Sequence, residues 1–153
     1  MKAKRRETND GVTVTISGAV DESDDMGALF GKLQGSLTVI CGAITRINSA
    51  GTRNWVRFFA DAQKQGIKVR FEEVSTALVE QMSFVRSMAG GGEVISLAVP
   101  YLCDACQHGF STFVKSGEIR KNGFKVSGVK CPKCGADAVF DDVEDEYFAF
   151  LRK

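Results

Sequence analysis

The stretch Val39-Ile40-Cys41-Gly42-Ala43-Ile44-Thr45-Arg46-Ile47-Asn48-Ser49-Ala50-Gly51-Thr52-Arg53-Asn54-Trp55 passes from an apolar run, through small and polar residues, into a segment with helical spacing. Residues 37–41 form a short apolar run bounded by turn formers, the pattern of a central strand covered on both faces. Cys41 packs there as a small hydrophobe. After the turn at residues 48–51, Trp55, Val56, Phe59 and Ala62 recur on one face while Arg53, Arg57, Asp61 and Lys64 fall on the other, so an amphipathic helix follows and Gly66 stops it. The unpaired N–H groups of a helix start favour a capping oxygen or an anion. Ser49 is the residue placed to serve as N-cap, a role that stabilises a helix by about 1 kcal/mol.

Strand, turn and helix then repeat on either side of this stretch. Upstream, Val12, Val14 and Ile16 alternate with Thr13, Thr15 and Ser17, a half-buried strand that Gly18 ends. Acids at residues 21–25 precede Met26, Leu29, Phe30 and Leu33, a helix with Gly35 beyond its end. Downstream, Ile67, Val69 and Phe71 make another strand. Ser75 opens a helix carrying Leu78, Val79, Met82, Val85 and Met88, and Gly90-Gly91-Gly92 breaks it before a last apolar strand at residues 94–99. Alternating strands and helices through residue 100 predict an α/β sheet. Phe58 and Phe84 fall off the apolar stripes, as core flanks or as exposed anchors for a partner.

Cys103-Asp104-Ala105-Cys106 and Cys131-Pro132-Lys133-Cys134 are two Cys-x-x-Cys knuckles. Four thiolates suit tetrahedral zinc, and two intervening residues let one tight turn present both sulfurs to one ion. The segment between the pairs exceeds the usual spacing of about 15 to 20 residues. Its length is absorbed if residues 110–115 and 124–129 pair as a β-hairpin with its tip at residues 117–123. A filled set of four ligands predicts a structural Zn2+ without an open catalytic position, against the alternatives of a dithiol redox pair or iron on the same sulfurs. His108, two residues after Cys106, stays outside the ligand set. Between the knuckles, Lys115, Arg120, Lys121, Lys125 and Lys130 interleave with Phe110, Phe113 and Phe124. That composition also occurs in single-strand binders, but a solvated hairpin around a minicore of these phenylalanines is the favoured reading. Val143, Tyr147 and Leu151, with acids before and bases after, predict a closing helix over residues 143–153.

Composition sets the limits. The chain has 153 residues, 44% hydrophobic content and a formal net charge of +1, so any polyanion site must be local. Its apolar runs fall far short of the roughly 20 residues that span a bilayer. The basic start, residues 1–10, reads as a flexible tail rather than a signal peptide or membrane anchor. Five cysteines without secretory features point to thiols kept free or on metal in a reducing, cytoplasmic setting.

The order of elements through residue 100, with Ile47-Asn48-Ser49-Ala50-Gly51 at a strand-to-helix turn, resembles the STAS family, the fold of bacterial anti-sigma factor antagonists, over about two thirds of the chain. The resemblance implies a STAS-like mixed sheet with helices over residues 11–100; the two cysteine knuckles make residues 101–142 a zinc ribbon beyond it. The resemblance also implies that Ser49 is the phosphoacceptor. Asn48, Ser49, Ala50, Gly51, Thr52 and Arg53 then contact a protein partner, an anti-sigma factor or a histidine-kinase-like ATPase, and phosphate ends the complex. Asn48 stands where the antagonists usually carry Asp. The expected function is therefore a bacterial cytoplasmic interaction module in signalling and transcription regulation, not an enzyme. One histidine and no P-loop leave few catalytic groups. The alternative is a nucleic-acid-binding zinc ribbon, using Lys115, Arg120, Lys121, Lys125 and Lys130, regulated or dimerised by the STAS-like domain.

Overall fold

Val12, Val14 and Ile16 do alternate into the core, in a strand that runs longer than the sequence predicts and pairs on both sides. The computed structural model describes residues 1–152. Its first unit is a five-stranded mixed sheet in the order β1-β2-β3-β4-β5, formed by Lys2–Thr8, Gly11–Val20, Ser36–Ile47, Lys68–Glu72 and Glu93–Val94. β1 is antiparallel to β2, and every other neighbouring pair is parallel. The helices α1 (Met26–Phe30), α2 (Ser49–Lys64) and α3 (Thr76–Phe84) connect the parallel strands. Right-handed crossovers put such helices on one side of a sheet. Trp55 of α2 accordingly stacks on Phe71 of β4 at 5.8 Å, and Phe30 of α1 meets Phe59 of α2 edge-on at 5.6 Å. The Trp55 indole N–H donates to the carbonyl of Met88 just beyond α3, at 3.1 Å, bringing that connection to the same side. Phe58 flanks this core, 4.9 Å from Phe30, whereas Phe84 is 84% exposed.

Residues 1–10 are not a flexible tail. β1 pairs along its whole length with β2, from Lys2 opposite Ser17 to Thr8 opposite Gly11, across a two-residue Asn9-Asp10 turn. An edge strand needs only one weakly apolar position, and charge along it discourages pairing with other chains. Half-buried Ala3 supplies the former, and Lys2, Lys4, Arg5 and Arg6 the latter. Other boundaries also move. α1 stops at Gly31, whose φ of 69° ends the helix before Leu33. β3 continues past Cys41 through buried Ile44 to Ile47, with irregularities in its register against β2. α3 ends at Phe84, and a separate 3₁₀ turn carries Met88.

The apolar run at residues 94–99 belongs to two sheets. Glu93–Val94 completes the first, and β6 (Ser96–Cys103) starts the second, so a boundary at residue 100 would cut a continuous strand. The second sheet has the order β7-β6-β9-β8 and is antiparallel throughout, with β7 at Gly109–Lys115, β8 at Val129–Lys130 and β9 at Asp137–Phe140. The expected hairpin of 110–115 with 124–129 does not form. β7 pairs with β6 instead, and residues Ser116–Lys121 fold as α4. Buried Ile119 and the Ser116 hydroxyl, which donates to the carbonyl of Val94 at 2.7 Å, hold that helix against the first unit. Phe113 is 51% exposed and does not join a minicore with Phe110 and Phe124.

The closing segment is a single helical turn, α5 (Glu144–Tyr147), followed by a 3₁₀ turn at Ala149–Leu151; Lys153 lies outside the described residues. It bridges the two units. The Tyr147 hydroxyl donates to the carbonyl of Ala98 in β6 at 2.6 Å, the Ser83 hydroxyl of α3 donates to the carbonyl of Tyr147, and fully buried Phe148 stacks on Phe140 of β9. Burial holds the Tyr147 phenol well above its ordinary pKa. The fold is thus mixed α/β with two sheets. No helix among the described residues is long and apolar enough to cross a membrane.

Candidate metal centre

Two copies of one turn bring the cysteines together. β6 ends at Cys103, whose carbonyl accepts the N–H of Gln107 at 2.8 Å and whose own N–H donates to the carbonyl of His108 at 3.0 Å. Cys131, which follows β8, repeats the pattern with Gly135 at 2.9 Å and Ala136 at 2.7 Å. The fourth residue after each leading cysteine is left-handed, φ being 61° at Gln107 and 78° at Gly135. Glycine adopts that conformation freely. Gln107 holds it with its side-chain amide donating to the carbonyl of Asp104 at 3.0 Å. At the same offset both turns enter a strand, β7 at Gly109 and β9 at Asp137, so the knuckles are related in backbone as well as in spacing.

The Sγ atoms of Cys103, Cys106, Cys131 and Cys134 all lie within 4.8 Å of one another. Cys103 is 3.4 Å from Cys134 and Cys106 is 3.7 Å from Cys131, each pair joining the two knuckles. Four sulfurs at a zinc–sulfur distance of about 2.3 Å sit about 3.8 Å apart along the edges of a tetrahedron, whereas a disulfide would hold two of them at about 2.05 Å. The spacing fits four thiolates around one ion, and these residues can hold a metal such as zinc. Electrostatics agree with that fit. Desolvation opposes ionisation of Cys131, but the N–H groups of Cys134 and Lys133, with the Cys106 and Cys103 thiols, outweigh it and bring its pKa down to about 7. At Cys134 the N–H of Ala136 favours the thiolate, yet the Cys103 and Cys106 sulfurs crowd it and push it up to about 12. Sulfurs this close cannot all carry charge without a cation among them. Cys103 and Cys131 are buried, Cys106 is half-buried and exposed Cys134 leaves a way in. His108 stacks on Phe110 at 5.8 Å and is not in the cluster.

The turn before α2 differs from its sequence reading by one residue. Asn48, not Ser49, is the N-cap: its Oδ1 accepts the N–H of Gly51 at 2.7 Å, and its Nδ2 donates to Glu22 at 2.8 Å. That second bond holds the Glu22 carboxyl below its usual pKa. An amide can accept from the helix and donate away from it simultaneously, which a serine hydroxyl at the next position does not replace. Ser49 is the first residue of α2 and exposed, as is Arg53, while Ala50 is half-buried and Gly51 and Thr52 are buried. A Cβ on Gly51 would lie 2.5 Å from the carbonyl oxygen of Val20, so only glycine lets α2 start this close to β2.

The second sheet disperses its cations. Lys115 ends β7, Arg120 and Lys121 close α4, Lys125 follows in a loop, and Lys130 stands in β8 at the opposite edge, paired with Asp137 at 2.5 Å. The cations that the fold does gather were not singled out as a site in the sequence. Lys2, Lys4 and Arg6 of β1 share a sheet with Lys68 and Arg70 of β4. Their signal was the period of two in Lys2-Ala3-Lys4-Arg5-Arg6, hidden by the absence of a large apolar residue.

A segment of 69 residues, 45% of the chain, is 41% identical to part of the DNA polymerase III PolC-type of Lacticaseibacillus paracasei. The matched part is 5% of that protein's length, so the chain spans only a small piece of it. No family model matches the chain, and no solved structure does.

Proposed function

We propose that this chain is a non-catalytic regulatory binding module of the STAS type, in which Cys103, Cys106, Cys131 and Cys134 hold a structural zinc ion and residues 48–53 contact a protein partner. The observation that carries this reading is the start of α2. Asn48 is fixed on both sides of its amide, Gly51 is wedged against Val20, and Ser49 and Arg53 are left exposed on a rigid support. A pre-organised, exposed turn loses little entropy on binding. The mixed sheet with helices that this reading expects is present, in the order β1-β2-β3-β4-β5. An anti-sigma factor or a histidine-kinase-like ATPase is the partner that reading implies, with Ser49 as phosphoacceptor. Phosphate there would add about −1.5 to −2 charge beside the Asn48–Glu22 bond, setting repulsion from Glu22 against attraction to the helix start. The test is binding of such an ATPase to wild type and to Ser49→Asp, with phosphate mapped by mass spectrometry. Equal binding by both, or phosphate only elsewhere, would remove the switch. One zinc per chain after extensive dialysis is the expected metal content.

The segment shared with a DNA polymerase favours one second reading, a nucleic-acid-binding zinc ribbon. Salt-sensitive binding abolished by changing Lys121 and Lys125 would support it over the protein-partner reading.

A further inference from the structure

We infer that the helix-free face of the first sheet is a docking surface for single-stranded nucleic acid, separate from the cations of the second sheet. The face is defined by register. Val12, Val14, Leu37, Val39, Val69 and Phe71 point to the helices and are buried. The residues between them point the other way, because side chains alternate along a strand and in-register neighbours share a side. Arg6, Thr13, Thr38 and Arg70 form one such row across β1, β2, β3 and β4. The next row joins Lys4, Thr15 and Ile40, and the row on the other side of Arg6 ends in Lys68. α1 and α2 pack on the far side through Phe30, Trp55 and Phe59, and these positions are half-buried to fully exposed.

The pattern is a shallow trough. Its floor on β2 and β3 carries short hydroxyl side chains, and long cations rise on both walls, from β1 and from β4 about 14 Å apart at ordinary strand spacing. Lys2, Lys4 and Arg6 repeat every second residue, about 6.7 Å along the strand, a step commensurate with successive phosphates of an extended single strand. Among the described residues none of the five cations is in an ion pair. Glu72 and Glu93 share the face and Glu73 stands at its margin beside Gly42, which still leaves more cations than anions. At one margin the half-exposed Phe113 ring lies against Gly42 of β3, where a Cβ would come within 2.8 Å of it, and offers a π-face for a base. Cationic walls with an aromatic platform are the elements that bind single strands without reading sequence. A duplex, convex and far wider than the floor, would meet the walls only.

The experiment is fluorescence anisotropy of a labelled oligothymidylate of about twenty nucleotides, long enough for one site, with the full zinc-loaded chain. Binding should weaken steeply with salt, and Arg6→Gln with Arg70→Gln should weaken it about tenfold and lower the log–log salt slope by about 0.7 per cation removed. Phe113→Ala should weaken it without changing the slope. These side chains are exposed, and unchanged melting temperatures will show that the variants fold. Absence of salt-sensitive binding overturns the inference. So does loss only with Lys121→Gln and Lys125→Gln, which assigns binding to the second sheet, or equal competition by polyglutamate, which makes the face a general polyanion patch.

Discussion

Replacing Asn48 by alanine should destabilise the chain, whereas replacing Ser49 should not. Asn48 contributes the cap bond from Gly51 at 2.7 Å and the bond to Glu22 at 2.8 Å. Losing such a cap costs about 1 kcal/mol, within a range of roughly 0.5 to 2, and the solvent-exposed bond to Glu22 adds little. For a chain of this size about 1 kcal/mol lowers the melting temperature by about 2–4 °C. Ser49 is already helical and exposed, and its hydroxyl makes no hydrogen bond among the described residues. Alanine is the better helix former there by up to about 0.5 kcal/mol. Ser49→Ala should therefore leave stability unchanged or slightly raised. Urea titration followed by circular dichroism, with thermal melts alongside, measures both. Equal losses, or a larger loss for Ser49→Ala, would refute the assignment of the cap. Asn48→Asp extends the test to pH. In wild type the Asn48 amide holds Glu22 below its usual pKa, so that contribution is present above the unfolded carboxyl's pKa and fades as pH falls through the lowered one. Aspartate caps as well as asparagine but sets a carboxylate against Glu22. Asn48→Asp should gain on wild type as pH falls from neutrality toward about 4, where carboxylates protonate.

Three further outcomes follow from the packing. Gly51→Ala would drive a methyl to 2.5 Å from the Val20 carbonyl, and the overpacking should cost about 1–3 kcal/mol in chemical denaturation despite alanine's higher helix propensity. Tyr147→Phe removes the 2.6 Å bond to the buried Ala98 carbonyl and should cost about 1–3 kcal/mol by the same assay, with loosened hydrogen exchange in β6 and α5. With zinc on the four cysteines as proposed, chelation, or Cys131→Ser, should abolish amide protection in β8 and β9 while β2 to β4 keep theirs, because a closed zinc site would supply much of the folding free energy of so small a sheet. Uniform loss across both sheets would instead make the chain one cooperative unit.

What the sequence disclosed and what it hid divide along a physical line. Local chemistry was legible: the alternation of Val12, Val14 and Ile16, the stripe of Trp55, Phe59 and Ala62, the Ser75 cap of α3, and above all the two Cys-x-x-Cys turns, each of which carries its geometry within six residues. Pairing between distant segments was not. Phe110 to Lys115 has the pattern of a strand but nothing local to say that β6, rather than residues 124–129, is its partner. Pro100, a turn former by propensity, sits inside β6 because pairing with β7 overrides that preference. At the α2 turn the difference was a single position, since serine and asparagine are comparable caps and the start of α2 is set by a non-local contact, the Asn48 N–H on the Val20 carbonyl at 3.2 Å.

The same division bears on function. A four-cysteine cluster built from two local turns announces itself in one chain of letters, because its spacing is written in the sequence. A surface does not: Arg6, Thr13, Thr38 and Arg70 become neighbours only through three strand registers. A net charge of +1 over the whole chain gives no hint that cations gather on one face. The basic start was therefore read as a tail when its alternation was the informative feature. Once β1 is paired, each second residue is committed to one side, and Lys2, Lys4 and Arg6 face the solvent together with the cations of β4. A basic segment that alternates with small residues can be an edge strand whose charge both blocks aggregation and faces a ligand. In this chain the two roles predict different things. If the charge serves only to block pairing, glutamate at Lys4 and Arg6 is as good as the native pair and leaves solubility unchanged; if it faces a polyanion, the same exchange removes binding while the strand stays paired.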